Sequence, residues 1–313
     1  ASGRGVVLND GDISFCSHTR QSGVALLQVL MIGMVISMLA IGFSETAKDQ
    51  TSIALDIERR VTAELKTYSA INEAIFLQLS ETVITMDGHA SEKLRNIKSR
   101  MNFHGEKIAW RENTSISIQD LNGLLPQLFP GHVLWRILLE HKGLSDSKID
   151  SYLGVWQDTQ DPDARSWIVG DMEPPTHSNG YKYLDGFAQT EHIIKWVFED
   201  DPLLSQSLRG ISNVRSPSAI NPFNSPTKLL SQIFEAGLVD QISALRTVTK
   251  DARVDKLQLL PKKLHSEEIT TFDSPDRIIT ASYEDDHVSW TDSMVVSLRA
   301  KSTPPFIMLQ RGN

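Results

Sequence analysis

A long apolar run at residues 24–43, VALLQVLMIGMVISMLAIGF, gives the first prediction about this chain. The run contains no charged residue, and its clearly polar side chains are Gln28 and Ser37. A helix rises about 1.5 Å per residue, so a run of this length covers roughly 30 Å, the thickness of the hydrocarbon core of a bilayer. Residues 24–43 are therefore predicted to form a single transmembrane helix.

The helical pattern continues beyond this span, because apolar residues recur every three or four positions. This stripe consists of Ile57, Val61, Leu65, Tyr68, Ile71, Ile75 and Leu79. Charged residues such as Glu58 and Lys66 lie between its members, and the first proline of the chain is Pro126. We expect residues 44–85 to continue the same helix in amphipathic form. Its membrane-proximal turns are then free to contact neighbouring helices, while its distal turns pack on a domain.

Strand patterns lie on both sides of a long helical block. Apolar and polar residues alternate at 103–110 and 114–119, which predicts a hairpin, and alternation returns near the end of the chain. The closing strands are predicted at 277–283, 293–298 and 306–310. Between them, helices are predicted at 133–141, 148–159, 189–198, 227–235 and 239–247, with loops at 161–181 and 212–226.

This order predicts an α+β fold. A long N-terminal transmembrane helix packs on a small antiparallel sheet, and a large all-α domain is inserted between the strands. The sheet is assigned to residues 86–123 and 265–313, and the inserted domain to residues 124–264. The last strand, ending at Gln310, is expected to offer a sheet edge for pairing with another subunit.

Composition and motifs argue against several functional classes. The 313 residues carry a net charge of -8 without a Lys/Arg cluster, which argues against a nucleic-acid-binding surface. Cys16 is the single cysteine, so no intramolecular disulfide is possible. The sequence contains no HExxH pair, P-loop, Rossmann glycine pattern or GxSxG elbow. We therefore expect a protein that is not an enzyme.

The residues before the apolar run indicate how the N-terminus is processed. Arg20 precedes the run, which favours a cytoplasmic N-terminus and a body on the other side of the membrane. An ordinary secretory signal has an apolar core of about 7 to 15 residues with the cleavage site after it. Here the core is longer, and the small residue Gly23 precedes it. Residues 1–23 are therefore interpreted as a leader, with cleavage expected between Gly23 and Val24.

Four segments, in order along the chain, carry a resemblance to a known family. They are Gly23 with Val24-Ala25-Leu26-Leu27, Ser117-Ile118-Gln119-Asp120-Leu121-Asn122-Gly123, Trp156-Gln157-Asp158, and Ala219-Ile220-Asn221-Pro222-Phe223-Asn224. With the strand-rich tail, this order resembles the GspK-type minor pseudopilins of bacterial type II secretion systems. The chain departs from the family's Asn-Leu-Asn at Leu124-Leu125-Pro126, and it matches a Gly-Ala-Glu segment only loosely at Gly170-Asp171-Met172-Glu173.

The resemblance implies that the α+β fold is pilin-like. It also implies a non-enzymatic assembly subunit in the bacterial inner membrane, with its head in the periplasm. It implies cleavage after Gly23 by a prepilin peptidase and methylation of the new N-terminus at Val24. It also implies assembly with the I- and J-type minor pseudopilins at the tip of the pseudopilus, on the inner-membrane secretion platform.

Gln28 is the fifth residue after the expected cut, where most pilin-like proteins have a glutamate. A carboxylate in lipid needs a partner, which in a filament is the N-terminal amine of an adjacent subunit. A subunit at the tip has no subunit above it, so the neutral Gln28 agrees with a capping position. A neutral amide equally suits an ordinary membrane anchor.

An acidic segment is the candidate metal site. Asp158, Asp161, Asp163 and Glu173, with Asp171 near them, offer hard oxygen ligands for calcium, and the family is known for calcium in its helical domain. The spacing is not that of an EF-hand, because the expected glycine is absent. A solvated acidic loop is the alternative interpretation.

Two other functional classes stay open. One is a membrane-anchored periplasmic sensor or receptor, in which the inserted domain binds a ligand. The other is a tethered exported hydrolase, which lacks a recognisable nucleophile arrangement here. Cleavage between Gly23 and Val24 discriminates in favour of a pseudopilin, because a stable signal anchor remains uncut.

Overall fold

The computed structural model describes residues 21–87, 101–128, 132–160, 192–215, 219–246, 268–299 and 302–312. The chain forms two compact units, Ala1–Arg59 and Arg60–Asn313. The first unit is described from residue 21 onward and is entirely helical there. The second unit contains a sheet, the helices inserted between its strands, and the C-terminal part of the first helix.

Helix α1 (Gln21–Asp87) is a continuous helix of 67 residues. In the first unit the side chains of residues 24–58 are all exposed. Over the part of the chain that the structure describes, α1 is the one helix long and apolar enough to cross a membrane. Within the apolar run at 24–43 the Ser37 hydroxyl bonds to the helix itself: its Oγ donates to the carbonyl oxygen of Gly33 at 2.8 Å. A hydroxyl satisfied in this way is tolerated in a lipid environment.

The sheet in the second unit has five strands in the order β1-β2-β5-β6-β7, and every neighbouring pair is antiparallel. The strands are β1 (Ile108–Arg111), β2 (Thr114–Asp120), β5 (Asp276–Glu284), β6 (Ser289–Leu298) and β7 (Phe306–Gly312). Strand β2 lies beside β5, with Ile118 opposite Ile279. The first hairpin and the closing strands therefore form one sheet, although the helical block separates them in sequence.

In the ranges that the structure describes, the chain between β2 and β5 is mainly helical. It contains α2 (His132–His141), α3 (Asp146–Gln160), α4 (His192–Val197), α5 (Pro202–Arg209), α6 (Thr227–Ile233), α7 (Ala236–Leu245) and the short parallel strands β3 (Leu125–Pro126) and β4 (Ser212–Asn213). These helices have their own core, in which the Trp135 and Trp156 rings lie 4.5 Å apart and Phe198 packs on Trp156 at 5.8 Å. Both indoles donate to backbone oxygens, so their burial leaves no unpaired N–H.

A second core lies between the C-terminal part of α1 and the sheet. On α1 it contains Ala70, Ile71, Ala74 and Ile75, and on the sheet it contains Ile116, Ile118, Ile279, Ala281, Met294 and Val296. The distal part of the predicted apolar stripe is thus covered, while Val61, Leu65 and Tyr68 are 48%, 62% and 44% exposed. The distal part is therefore covered and the membrane-proximal part exposed, as expected, while contact with neighbouring helices stays a prediction.

The apolar stripe predicted from the sequence omits two buried residues of α1 near the start of the second unit. Ala63 and Thr67 are fully buried there. Small side chains on this face let the helix backbone lie close to the strands, and the Thr67 hydroxyl is satisfied by the Ala63 and Glu64 carbonyl oxygens. Counting only large apolar residues overlooks such a face.

The α+β class is confirmed: a long helix, an antiparallel sheet and a helical block between strands. Two local predictions were incomplete. Helix α5 was not predicted, although Asp201 caps it and Pro202 opens it, a standard start signal. The predicted loop at 212–226 contains strand β4 and a 3-10 turn at Pro222–Asn224. The predicted helix at 189–198 is described from His192 onward, and the predicted loop at 161–181 lies outside the described residues.

Candidate functional site

The predicted processing site lies in the first turn of α1. Val24 is 60% exposed, and Gln28 is also exposed. The residues before 21, which include the predicted leader's Arg20, lie outside the described residues. Cleavage after Gly23 and a capping role for Gln28 therefore stay predictions.

The part of α1 in the second unit presents an apolar face to solvent, called here the exposed α1 face and formed by Val61, Leu65, Tyr68 and Phe76. Leu65 and Phe76 are 62% and 64% exposed. At about 100° per residue these four side chains fall within about 80° of the helix circumference. Large apolar residues grouped on one exposed side mark a contact surface rather than scattered exposure.

Strand β7 is at one end of the described sheet and pairs only with β6 there. Phe306, Ile307 and Met308 are 37%, 43% and 54% exposed. The other end of the strand is held to α1 by Arg311, whose Nη2 lies 2.8 Å from Asp292 Oδ2 and 3.7 Å from Glu64 Oε1. The predicted edge at the last strand is thus present among the described residues, and β7 is the candidate for strand pairing.

A largely buried polar cluster, called here the polar junction, consists of Asp120, Asn122, Asn221, Asn224 and Ser274. Asp120 ends β2 and is fully buried. Its Oδ1 accepts the backbone N–H of Asn122 at 2.8 Å and that of Ser274 at 3.1 Å. Its Oδ2 lies 3.1 Å from the same Ser274 nitrogen and accepts Asn224 Nδ2 at 2.7 Å. One carboxyl group therefore joins three segments that are far apart in sequence.

Burial raises the pKa of Asp120 from 3.8 to about 6. The charge of Arg277 and the N–H groups of Asn122 and Ser274 oppose this rise, because they stabilise the carboxylate, while Asp273 adds to it. The penalty of removing a charge from water is therefore the largest influence on this group.

Gly123 has no room for a side chain, because a Cβ there would lie 2.0 Å from the backbone oxygen of Asn224. The two segments also bond directly, since the Asn221 N–H donates to the Asn122 oxygen at 2.5 Å. Gln119 adds a bond from its Nε2 to the Asn224 oxygen at 2.9 Å. The Asp-x-x-Gly turn and the Asn221–Asn224 segment, noted separately in the sequence, thus pack against each other.

The polar junction lies at both ends of the helical block. Asn122 precedes the block, and its Nδ2 donates to the Phe272 oxygen, which follows the block, at 3.1 Å. This arrangement holds protein segments together and contains no nucleophile paired with a base. Its contribution is to fix the helical block on the sheet.

Glu73 provides a second tie between α1 and the sheet. Its Oε2 accepts Trp110 Nε1 at 2.9 Å, and its two oxygens accept Arg111 Nη2 and Nε at 2.6 and 3.0 Å. A carboxylate held by two nitrogens of one guanidinium has a fixed orientation. The role of Glu73 depends on the sheet residues that it meets, which the local pattern of α1 does not indicate.

The structure corrects the environment predicted for Asp158. Asp158 lies in the last turns of α3 and is 4% exposed, so it is not part of a solvated loop. Asp161, Asp163, Asp171 and Glu173 lie outside the described residues. Within the described ranges, no group of three or more His, Cys, Asp or Glu side chains is arranged to hold a metal. Calcium binding by this segment stays a prediction.

Comparisons with known proteins add a structural likeness. No family model matches the chain, and no curated protein matches it. Among solved structures, the chain is similar to a chain in the crystal structure of the GspK-GspI-GspJ complex from the enterotoxigenic Escherichia coli Type 2 Secretion System. The sequence identity is 10%, the TM-score is 0.45, and the alignment covers 85% of this chain and 99% of that chain. A likeness of this size does not establish family membership.

Proposed function

We propose that this protein is a GspK-type minor pseudopilin, a non-enzymatic subunit that caps the tip of the periplasmic pseudopilus in type II protein secretion. The observation that carries the proposal is α1. A single helix includes an apolar segment long enough to cross a bilayer and, further along, forms a core with an antiparallel sheet. That combination suits a subunit held in the inner membrane by its N-terminus and assembled through its helix.

The capping position has two supports in this chain. The first is the helical block, which adds a second core to the sheet and enlarges the head. A large head obstructs a copy stacked directly above it, and a terminal subunit avoids this clash. The second is Gln28, which removes the charge that a subunit within the filament would neutralise with the amine of its neighbour.

The exposed α1 face and strand β7 are the proposed surfaces for the I- and J-type minor pseudopilins. The first offers large apolar side chains on one side of a helix, a familiar groove-filling geometry. The second offers a strand edge that no described strand covers, along an apolar segment. These are different recognition modes, so they provide for two different partners.

Processing is tested by sequencing the mature N-terminus of the full chain produced in its host. We expect a protein that begins at Val24, and we expect Gly23→Val to leave the precursor uncut and to stop secretion. Gly42→Val is the matched control, because it makes the same change in the same helix at a position with open space around it. A normally processed Gly23→Val protein would refute the proposal and favour the signal-anchored receptor.

Assembly is tested by co-purification of the full chain with the I- and J-type minor pseudopilins of the same organism. Leu65→Glu places a charge in the centre of the exposed α1 face and should abolish retention of one partner, with an unchanged melting temperature. Thr62→Glu is the control, since Thr62 is exposed about 60° away round the helix. Equal retention by both variants would remove this face from the proposal.

The absence of an acid in the span is tested with Gln28→Glu. An unpaired carboxylate costs about 2.5 to 3.5 kcal/mol at the centre of a bilayer and less near its edge. We expect altered pseudopilus length or weaker secretion, measured by electron microscopy and by assay of the secreted proteins. Unchanged length and secretion would show that position 28 is indifferent to charge.

A further inference from the structure

A cleft of about 520 Å³ lies beside the turn that joins α4 to α5 in the helical block. Trp196, Phe198 and Pro202 contribute apolar surface to it. The volume falls within the range of about 300 to 1,000 Å³ that is typical of small-molecule sites. No step of the assembly proposal uses this cleft. We propose that it binds a small organic anion, a carboxylate carried on an aromatic or aliphatic body.

The first support is an unsatisfied hydroxyl in the wall of the cleft. Ser205 is 3% exposed, and its Oγ has no hydrogen-bond partner among the described residues. Nearby serines behave differently: Ser207 Oγ donates to the Leu204 oxygen at 2.8 Å, and Ser212 Oγ donates to the Leu208 oxygen at 2.7 Å. A buried hydroxyl without a partner costs stability. A ligand oxygen in the cleft would remove this cost.

The second support is the charge around the cleft. Lys195 and Arg209 both line it and are exposed, and neither makes an ion pair within the described part of the chain. Glu199 is the one acidic residue in the described lining, so the cleft carries an excess of positive charge. A guanidinium such as that of Arg209 binds a carboxylate through two parallel hydrogen bonds.

Neighbouring acids do not neutralise this charge. Asp201 caps the start of α5 by accepting the Leu204 N–H at 3.0 Å. Asp200 accepts the Tyr152 hydroxyl at 2.6 Å and lies 3.5 Å from Lys148 Nζ. Each carboxylate is held outside the cleft by a partner of its own. The two cations and the Ser205 hydroxyl therefore remain for a ligand, with apolar surface to receive its body.

The test uses the full chain in nanodiscs of phosphatidylcholine. The probe is para-fluorophenylpropionate, and its binding is measured by titration with fluorine NMR. The neutral analogue para-fluorophenylpropanol has the same body without the charge, and empty nanodiscs give the background from lipid. We expect saturable binding of the acid to the protein and at least about fivefold weaker binding of the alcohol, as loss of a charge-assisted contact predicts.

Variants locate the site and separate its parts. Lys195→Gln and Arg209→Gln should each lower the affinity for the acid by about two- to fivefold, as the loss of an exposed charge pair does. The double variant should lower it by about tenfold. Ser205→Ala should lower the affinity for the acid, but the ratio of the affinities for acid and alcohol should change by no more than about twofold. Lys228→Gln, an exposed lysine on α6, is the control.

Three results would overturn the proposal. They are no binding above empty nanodiscs, equal affinity for the acid and the alcohol, and unchanged affinity in the double variant. Melting temperatures equal to that of the wild type show that each variant is folded. Because the site shares no residue with the processing junction, the exposed α1 face or strand β7, failure here leaves the assembly proposal unaffected.

Discussion

The buried carboxyl of Asp120 predicts how the stability of the head changes with pH. Its pKa is about 6 in the folded protein and 3.8 in the ordinary state. Between these values the unfolded chain has released the proton and the folded chain still holds it. The folded state therefore binds more protons, and the free energy of unfolding falls as the pH rises through this window. The contribution is complete below about pH 3.8 and is lost as the pH passes about 6.

The size of this effect follows from the pKa difference. A difference of about two pKa units corresponds to about 3 kcal/mol of unfolding free energy. Replacing the acid by an amide removes the titration. The free energy of unfolding of Asp120→Asn, relative to the wild type, should therefore rise by about 3 kcal/mol between pH 4 and pH 7. The amide also places an Nδ2 donor beside other donors. This contact lowers the free energy of unfolding of the variant by about 1 to 3 kcal/mol at every pH.

The assay is urea unfolding of the full chain in nanodiscs, followed by tryptophan fluorescence at half-unit steps of pH. Trp135 and Trp156 are fully buried in the helical block, so their emission reports its unfolding. Asp286→Asn is the control, because it removes an exposed carboxyl from the same head. A difference between Asp120→Asn and the wild type that is constant with pH, or that changes in the opposite direction, would refute burial as the dominant influence on this group.

Three further predictions concern packing and metal. Gly123→Ala should lower the melting temperature and cost about 1 to 3 kcal/mol, since the new methyl group overlaps a backbone oxygen, whereas Gly210→Ala, with open space around it, should be nearly neutral by thermal unfolding. Glu73→Gln should lower the free energy of unfolding by about 1 kcal/mol, because the bond to Arg111 weakens. Glu58→Gln, on an exposed turn, is the control and should leave the free energy of unfolding unchanged in the same assay. If the acidic segment binds calcium, the head should melt higher with the ion than in chelator, and Asp158→Ala should abolish that difference; equal melting in both conditions would remove the segment as a metal site.

Periodicity was enough to predict the helices and strands with strong local patterns. Helix α1 and strands β5, β6 and β7 have long runs whose apolar residues repeat at the spacing of the element, so their type follows from the sequence. Helix α5 is only 8 residues long, and its signal lies in its cap at Asp201 rather than in its periodicity. Short elements of this kind need the capping residues to be considered first.

The contacts of the polar junction could not be predicted from the sequence. Asp120 bonds to Asn224, which is 104 positions away in the sequence, and to Ser274, which is 154 positions away. Local pattern gives no information about contacts at such separations, because they depend on how β2 pairs with β5 and where the helical block returns to the sheet. The Asp-x-x-Gly turn and the Asn-rich segment were each noticed, but nothing in either segment indicated that they meet. The missing hydrogen-bond partner of the Ser205 hydroxyl likewise depends on residues that surround it in the fold, which the local sequence does not give.

The arrangement of the junction explains how a sheet of five strands carries a helical block larger than itself. The block leaves the sheet after Gly123 and returns before Ser274, and these two points are bridged by Asp120. Because its two ends are adjacent, the block is an insertion that leaves the pairing of β2 with β5 intact. The cores of the block and the sheet are separate clusters, and the junction is one of the links between them. A carboxylate with four short contacts serves this purpose better than apolar contact, because hydrogen bonds fix orientation as well as distance.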